Sequence, residues 1–368
     1  SFTSTAVGLA IGEGKLSLDD PVISFFPHDT PADPSWQLKA MRIRDLITMT
    51  TGHRKEPRLF DKKSHWVKAF LDSEIEFKPG THFQYNSAAT YMLSAILQSV
   101  TGERVVDYLE KRLFQPLEIK KPEWDLSPEG VTTGGWGLRI TTEDIAKLGQ
   151  LYLQKGVWHG NRILSESWVQ EATSRQTSTG SNPENDWDQG YGYQFWRCRY
   201  NCYRGDGAFG QFCIVIPEHE TVVAITSGTN DMGAIMKAVW ELLLPAMASD
   251  PVEPHSPTVQ ALARKLKDLK LTPVNGKSRS PVSKRLLQQK FQVLENEAGV
   301  HSVSFDLHGD DHRITVNMEH GIETLHMGNQ KYVRSEMKMD LPYTQNMSRK
   351  IGASGGWVKP DEYLVKVY

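Results

Sequence analysis

The spacing of apolar residues changes period once along this chain, and that change limits the folds open to it. Up to about residue 247 helical and strand-like spacings alternate, whereas after Val300 only strand-like spacing remains. Phe2, Ala6 and Leu9 or Ala10 recur on one helical face until Glu13-Gly14 stops the helix. Ala88 to Val100 reads as a buried helix closed by Thr101-Gly102. Thr141-Thr142-Glu143-Asp144 reads as a hydroxyl cap with an acidic first turn, followed by Ile145, Leu148 and Tyr152 at helical spacing. Phe212 to Ile216 and Thr221 to Thr226 read as two strands joined at Pro217-Glu218. Past the break, Val303, Phe305 and Leu307 alternate with polar residues, as do Ile314, Val316 and Met318, and then Tyr363, Val365 and Val367.

Mixed helices and strands predict an α/β (α+β) domain over 1–247, an antiparallel sheet flanked by helices. A linker is expected over 248–290, Pro-rich from Asp250-Pro251 to Pro257 and basic over 264–290, where Asp268 is the one acid. A solvated helix and linker is preferred there over a site for an anionic partner. An antiparallel β domain is expected over 291–368, and because Tyr368 falls inside an alternating run, the domain is expected to continue beyond it. The near balance of 42 Lys and Arg against 44 Asp and Glu gives no reason to expect nucleic-acid binding. No run of about 20 apolar residues exists to span a bilayer. Cys198, Cys202 and Cys213 are too few for a disulfide scaffold; Cys198 and Cys202 either pair in an exported protein or stand as free structural thiols.

A series of short motifs carries the functional reading through its order. Ser1-Phe2-Thr3-Ser4-Thr5-Ala6 precedes Gly12-Glu13-Gly14-Lys15-Leu16 and Asp19-Asp20-Pro21. Arg44-Asp45-Leu46-Ile47, Thr51-Gly52-His53, Phe77-Lys78-Pro79-Gly80-Thr81 and Tyr85-Asn86-Ser87 follow. Phe114-Gln115-Pro116-Leu117, Gly134-Gly135-Trp136-Gly137-Leu138 and Gly160-Asn161-Arg162-Ile163-Leu164-Ser165 complete the series. In this order they resemble the serine β-lactamase and penicillin-binding-protein superfamily, over roughly the first 230 residues and closest to its class C-like branch, which holds esterases, peptidases and amidases beside true β-lactamases.

The resemblance implies acyl transfer to a Ser of a Ser-x-x-Lys motif, two residues on one helical face where a desolvated Lys activates the hydroxyl. Ser1-Phe2-Thr3 resembles the run that follows that Lys, so both residues are expected just upstream of Ser1. The resemblance also implies catalytic roles for Tyr85, which shares proton transfer with the Lys, and for Ser87, which stands where the family carries Asn. Asn86 is expected to bind substrate or to cap the following helix. The third family element, Lys-Thr-Gly or His-x-Gly, aligns with Gly205-Asp206-Gly207. Asp206 and Gly207 are therefore expected at the substrate, with the Ala208 amide as half of an oxyanion hole. No Lys or His stands at Gly205, which favours an uncharged ester or amide over a penicillin-like carboxylate.

Other motifs are weaker. Ser335-Glu336-Met337-Lys338 matches Ser-x-x-Lys but lies between β segments, and Gly352-Ala353-Ser354-Gly355-Gly356 lacks the helix that a nucleophile elbow needs after it. His308-Gly309-Asp310-Asp311-His312 reads as a turn rather than a metal site. Trp187, Tyr191 and Trp196 either line a substrate cleft or pack in the core. The resemblance implies no metal or organic cofactor, a small ester, amide or peptide substrate, and a periplasmic or extracellular bacterial setting. Two other readings stay open: a D-amino-acid peptidase, penicillin-binding or β-lactamase activity, and a non-catalytic binding protein on the same fold.

Overall fold

A computed structural model describes residues 1–59, 65–247, 253, 256–287, 289–296, 299–307, 309, 311–319, 321–341 and 344–368, and no side chain within 339–349. The chain forms two compact units, Ser1–Ser249 and Asp250–Tyr368.

In the first unit, helix α1 (Phe2–Gly12) is buried on almost every side: Thr3 to Gly8 and Ala10 are all enclosed. Small residues make this possible, and Gly8 is the extreme case, where a Cβ would lie 2.4 Å from the Trp168 ring. Helix α2 spans Ile43–Ile47, and helix α3 (Ser87–Thr101) ends on Gly102, whose φ of 73° needs no Cβ. Helix α4 (Thr142–Leu153) begins with a capping box: Thr141 Oγ1 accepts the Asp144 N–H, and Asp144 accepts the Thr141 N–H.

Strands β1 (Trp196–Arg197), β2 (Tyr203–Gly207), β3 (Gln211–Ile216) and β4 (Thr221–Ile225) form an antiparallel sheet in that order. The strand period sorts β3 between two cores. Val215 joins the main core with α1, α3 and α4. Phe212, Ile214 and Ile216 pack with Met236, Val239 and Trp240 on the other face. Helix α4 lies close on the sheet at Gly149, where a Cβ would fall 2.5 Å from Val222 and 2.8 Å from Cys213 Sγ.

The second unit starts with helix α5 (Pro257–Lys267). Part of the stretch expected to be linker is built into its β structure: Val274 is buried, its N–H bonds Ser354 Oγ, and Lys277 bridges Trp357. The sheet runs β5 (Lys290–Gln292), β6 (Val300–Asp306), β7 (Asp311–Met318), β8 (Gly321–Gly328), then β10 (Thr344–Trp357) and β9 (Val333–Leu341), with β11 (Tyr363–Val367) also on β10. One contact departs from the antiparallel expectation: β8 meets β10 in parallel at Gly328 and Ser354. Leu307, Met327, Ala353 and Trp357 form its core.

Candidate active site

Ser1 precedes α1 and sends its hydroxyl to the Gln194 carbonyl at 3.0 Å. Gln194, at φ 60° and nearly buried, also donates from Nε2 to Thr90 Oγ1 on α3 at 2.9 Å. One residue thus ties the start of α1 and the body of α3 to the approach to β1. Sequence reasoning missed it, because nothing local marks a glutamine with two long-range partners. Thr3 Oγ1 adds a bond to the Gly134 carbonyl at 2.8 Å. A Cβ on Gly135 would lie 2.9 Å from the Ser87 carbonyl. The Gly-Gly-Trp motif and Tyr85-Asn86-Ser87 therefore meet, as their backbones could not with larger residues between them.

Strand β2 closes the arrangement. Alternation points Arg204 and Asp206 to one face and Gly205 to the other. A Cβ on Gly205 would fall 2.5 Å from Ser1 Oγ. On the opposite face Arg204, fully buried, grips both oxygens of Asp206, Nε at 2.7 Å and NH2 at 3.2 Å. Trp187 Nε1 donates to Asp206 Oδ2 at 3.0 Å, and the Arg204 guanidinium lies 4.8 Å from the Trp187 ring centroid. Burial raises the Asp206 pKa, against the pull of Arg204 and the Trp187 bond. With both oxygens engaged, Asp206 is an ion-paired support for β2 rather than the open substrate ligand expected from sequence.

Tyr85 stands at the edge of this cluster with two fifths of its surface exposed. Its ring stacks on Trp196 and meets Tyr191 edge-on. Tyr191 and Trp196 are buried, so they back the tyrosine rather than line an open cleft. The surrounding protein, then the Asp206 and Glu56 carboxylates, push the Tyr85 phenol up to about 12. Tyr85 is accordingly a neutral donor at neutral pH.

Ser87 opens α3 beside the half-buried Glu56, whose carboxylate accepts the Ala88 N–H at 3.1 Å and also bonds Ser87. Burial raises the Glu56 pKa. Sequence reasoning missed Glu56 as well; a lone acid in a polar loop carries no signal. Asn86 requires a correction as a substrate ligand. It is fully buried, its Oδ1 accepts the Ala89 N–H at 3.0 Å, and its Nδ2 donates to Thr51 Oγ1 at 3.4 Å. The cap is its role, because the bare amides at the helix start compete for that side chain. Behind it Thr51 Oγ1 bonds His53 Nδ1 and Ser73 Oγ bonds His53 Nε2, both at 2.8 Å. Gly207 ends β2 opposite Gln211, and Ala208 follows at the exposed hairpin tip.

The remaining sequence candidates lie elsewhere. Ser335 and Lys338 sit on β9, where residues three apart face opposite ways. Ser354 is buried, its Oγ donating to the Gly328 carbonyl and accepting from Val274. In the His-Asp run, His308 and Asp310 lie outside the described residues, and both ring nitrogens of His312 are engaged, by Tyr363 and the Ser278 carbonyl. Cys198, Cys202 and Cys213 are buried free thiols, and Cys198 Sγ accepts from Arg204. Among the described residues no helix is long and apolar enough to cross a membrane.

A helix-flanked antiparallel sheet, with the start of α1, the Tyr85 turn and β2 converging, is the architecture of serine β-lactamases and penicillin-binding proteins. The chain belongs to the Beta-lactamase family, whose model matches residues 1–246. It is 27% identical over 256 residues to the 6-aminohexanoate-dimer hydrolase of Paenarthrobacter ureafaciens, covering 63% of this chain and 64% of that one. The matched stretch is thus less than two thirds of that relative's length. Penicillin-binding protein 4 of Amycolatopsis lactamdurans is 26% identical over 311 residues, 71% of this chain and 81% of that protein. The octameric penicillin-binding protein homologue of Pyrococcus abyssi shares the fold, with a TM-score of 0.54 at 17% identity over 99% of this chain and 86% of that one.

Proposed function

We propose that this chain is the body of a class C-like serine hydrolase that cleaves a small ester or amide through an acyl-enzyme. The nucleophile and its Lys, in this reading, extend α1 by one turn as Ser-x-x-Lys ahead of Ser1. The observation that carries the proposal is the meeting of Ser1 with Gly205 on β2, with Tyr85 within electrostatic reach of Asp206 on the same strand. Acylation would place the substrate carbonyl against the Ala208 amide after Gly207. Tyr85, a neutral phenol, would hand its proton to the leaving alkoxide or amine and recover one from the Lys. Ser87 would orient that proton path together with Glu56.

Electrostatics favours a substrate without a carboxylate at the scissile bond. Tyr85 has acids as its charged neighbours, and Gly205 supplies no cation. The setting that fits such an enzyme is periplasmic or extracellular. The test is to read the codons before Ser1, express the full protein, and follow p-nitrophenyl ester hydrolysis for a burst of one phenol per enzyme. A Ser-x-x-Lys ending just before Ser1, with a burst lost on replacing that Ser by Ala, is the expected result. Any other residues there, or ester turnover that ignores the replacement, would overturn the proposal. Equal acylation by benzylpenicillin would overturn its substrate preference.

A further inference from the structure

The stretch from α5 to residue 286 has an extreme composition for a chain whose overall charge is near zero. Arg264, Lys265, Lys267 and Lys270 are followed by four more cations, with Asp268 as the sole acid. Helix α5 is soundly begun: Pro257 sits in its first turn and Ser256 Oγ accepts the Val259 N–H at 3.2 Å. Yet none of its residues is buried.

At 100° per residue, Val259, Leu262, Ala263 and Leu266 fall on one side of α5, while Arg264, Lys265 and Lys267 fall on the other. Leu262 and Leu266 are 54% and 57% exposed, and Leu269 and Leu271 just beyond the helix are 66% and 57% exposed. None of the four joins a hydrophobic core. Apolar leucines left in water along one helical stripe, backed by cations, need a surface that offers both an apolar layer and negative charge.

We infer that this segment docks on an anionic lipid surface, with α5 lying in the plane of the interface. A lipid leaflet layers the two demands in the right order, acyl chains beneath the leucine stripe and anionic headgroups level with the Lys and Arg ammonium and guanidinium groups. Charge complementarity selects this occupant: a nucleic acid would neutralise the cations but leave the leucines wet. The helix is about 16 Å long at 1.5 Å per residue, enough to lie on a bilayer and too short to cross one. This inference stands apart from the hydrolase reading and does not depend on it.

The experiment is vesicle co-sedimentation of the 368-residue chain at low salt. One set of vesicles is phosphatidylcholine alone; the other is an equal mixture with phosphatidylglycerol. Binding to the mixed vesicles alone is expected. It should fall at least tenfold in Arg264→Glu/Lys265→Glu and, separately, in Leu262→Ser/Leu266→Ser, both of which alter only exposed side chains and leave the circular dichroism spectrum unchanged. No binding to the mixed vesicles would overturn the inference. So would full binding by the leucine variant, which would mean plain ionic adsorption. A wild-type dimer in size-exclusion chromatography that the leucine variant converts to monomer would assign the stripe to a second copy instead.

Discussion

The Tyr85 ring lies over the Trp196 indole with centroids 5.9 Å apart and planes within 16° of parallel. The stack holds the ring through its face, and in the proposed mechanism the hydroxyl is the group that acts. Removing that hydroxyl should therefore separate chemistry from folding. Tyr85→Phe in the full-length protein is expected to lower kcat by about 100-fold or more, the usual scale for a lost general acid. Its thermal midpoint should match the parent. Unchanged ester turnover would mean that Tyr85 is only a packing residue.

The Arg204–Asp206 pair predicts an asymmetric mutational response. Both side chains are enclosed, so removing one strands a charge. Arg204→Met is expected to cost about 3–5 kcal/mol in urea unfolding. Adding Asp206→Asn should restore part of that loss, since the orphaned carboxylate goes with it. If the double variant is as unstable as the sum of the two single ones, the pair is not the source of the effect.

Burial pulls the His53 imidazole down to about 4, with no charged partner to oppose it. Its facing groups are Thr51, Ser73 and the Phe70 ring. The unfolded chain then takes up the proton more readily than the folded one. This contribution is complete above pH 6.5 and is lost as pH falls toward 4. By pH 5 the loss should reach about 2 kcal/mol. His53→Gln is expected to flatten the dependence of unfolding free energy on pH over this window, whatever it does to stability at pH 7. An unaltered slope would show that other groups titrate there.

At Gly149 the helix-to-sheet spacing leaves no room for a methyl group. Gly149→Ala should destabilise by about 1–3 kcal/mol, despite alanine's better helix propensity. Val222→Ala in the same chain should recover much of this by vacating the space. Additive losses in the double-mutant cycle would place the strain elsewhere.

Local rules made the fold readable. The Thr141 cap, the Gly102 stop and the two strands flanking Pro217 need only neighbouring residues, and the structure has each of them. The site was read as an order of motifs, and of its residues Tyr85 lies within electrostatic reach of Asp206. What stayed hidden depends on distant partners. Asn86 faces inward because Thr51 and the α3 amides claim it, and Asp206 is masked by Arg204 and Trp187. Gln194 and Glu56 act through contacts over 104 and 32 positions of chain. The parallel meeting of β8 and β10 leaves no mark in an alternating pattern, which reads alike for either direction.

The close approach of Gly205 to Ser1 bears on how this site can change. A side chain at 205 would bring a Cβ within 2.5 Å of Ser1 Oγ, the hydroxyl that bonds the Gln194 carbonyl. Any side chain at this position therefore has to be accommodated by a turn of the Ser1 hydroxyl. The bond that such a turn gives up is the one joining the residue just before α1 to the segment before β1, so the junction of helix and strand registers what stands at 205.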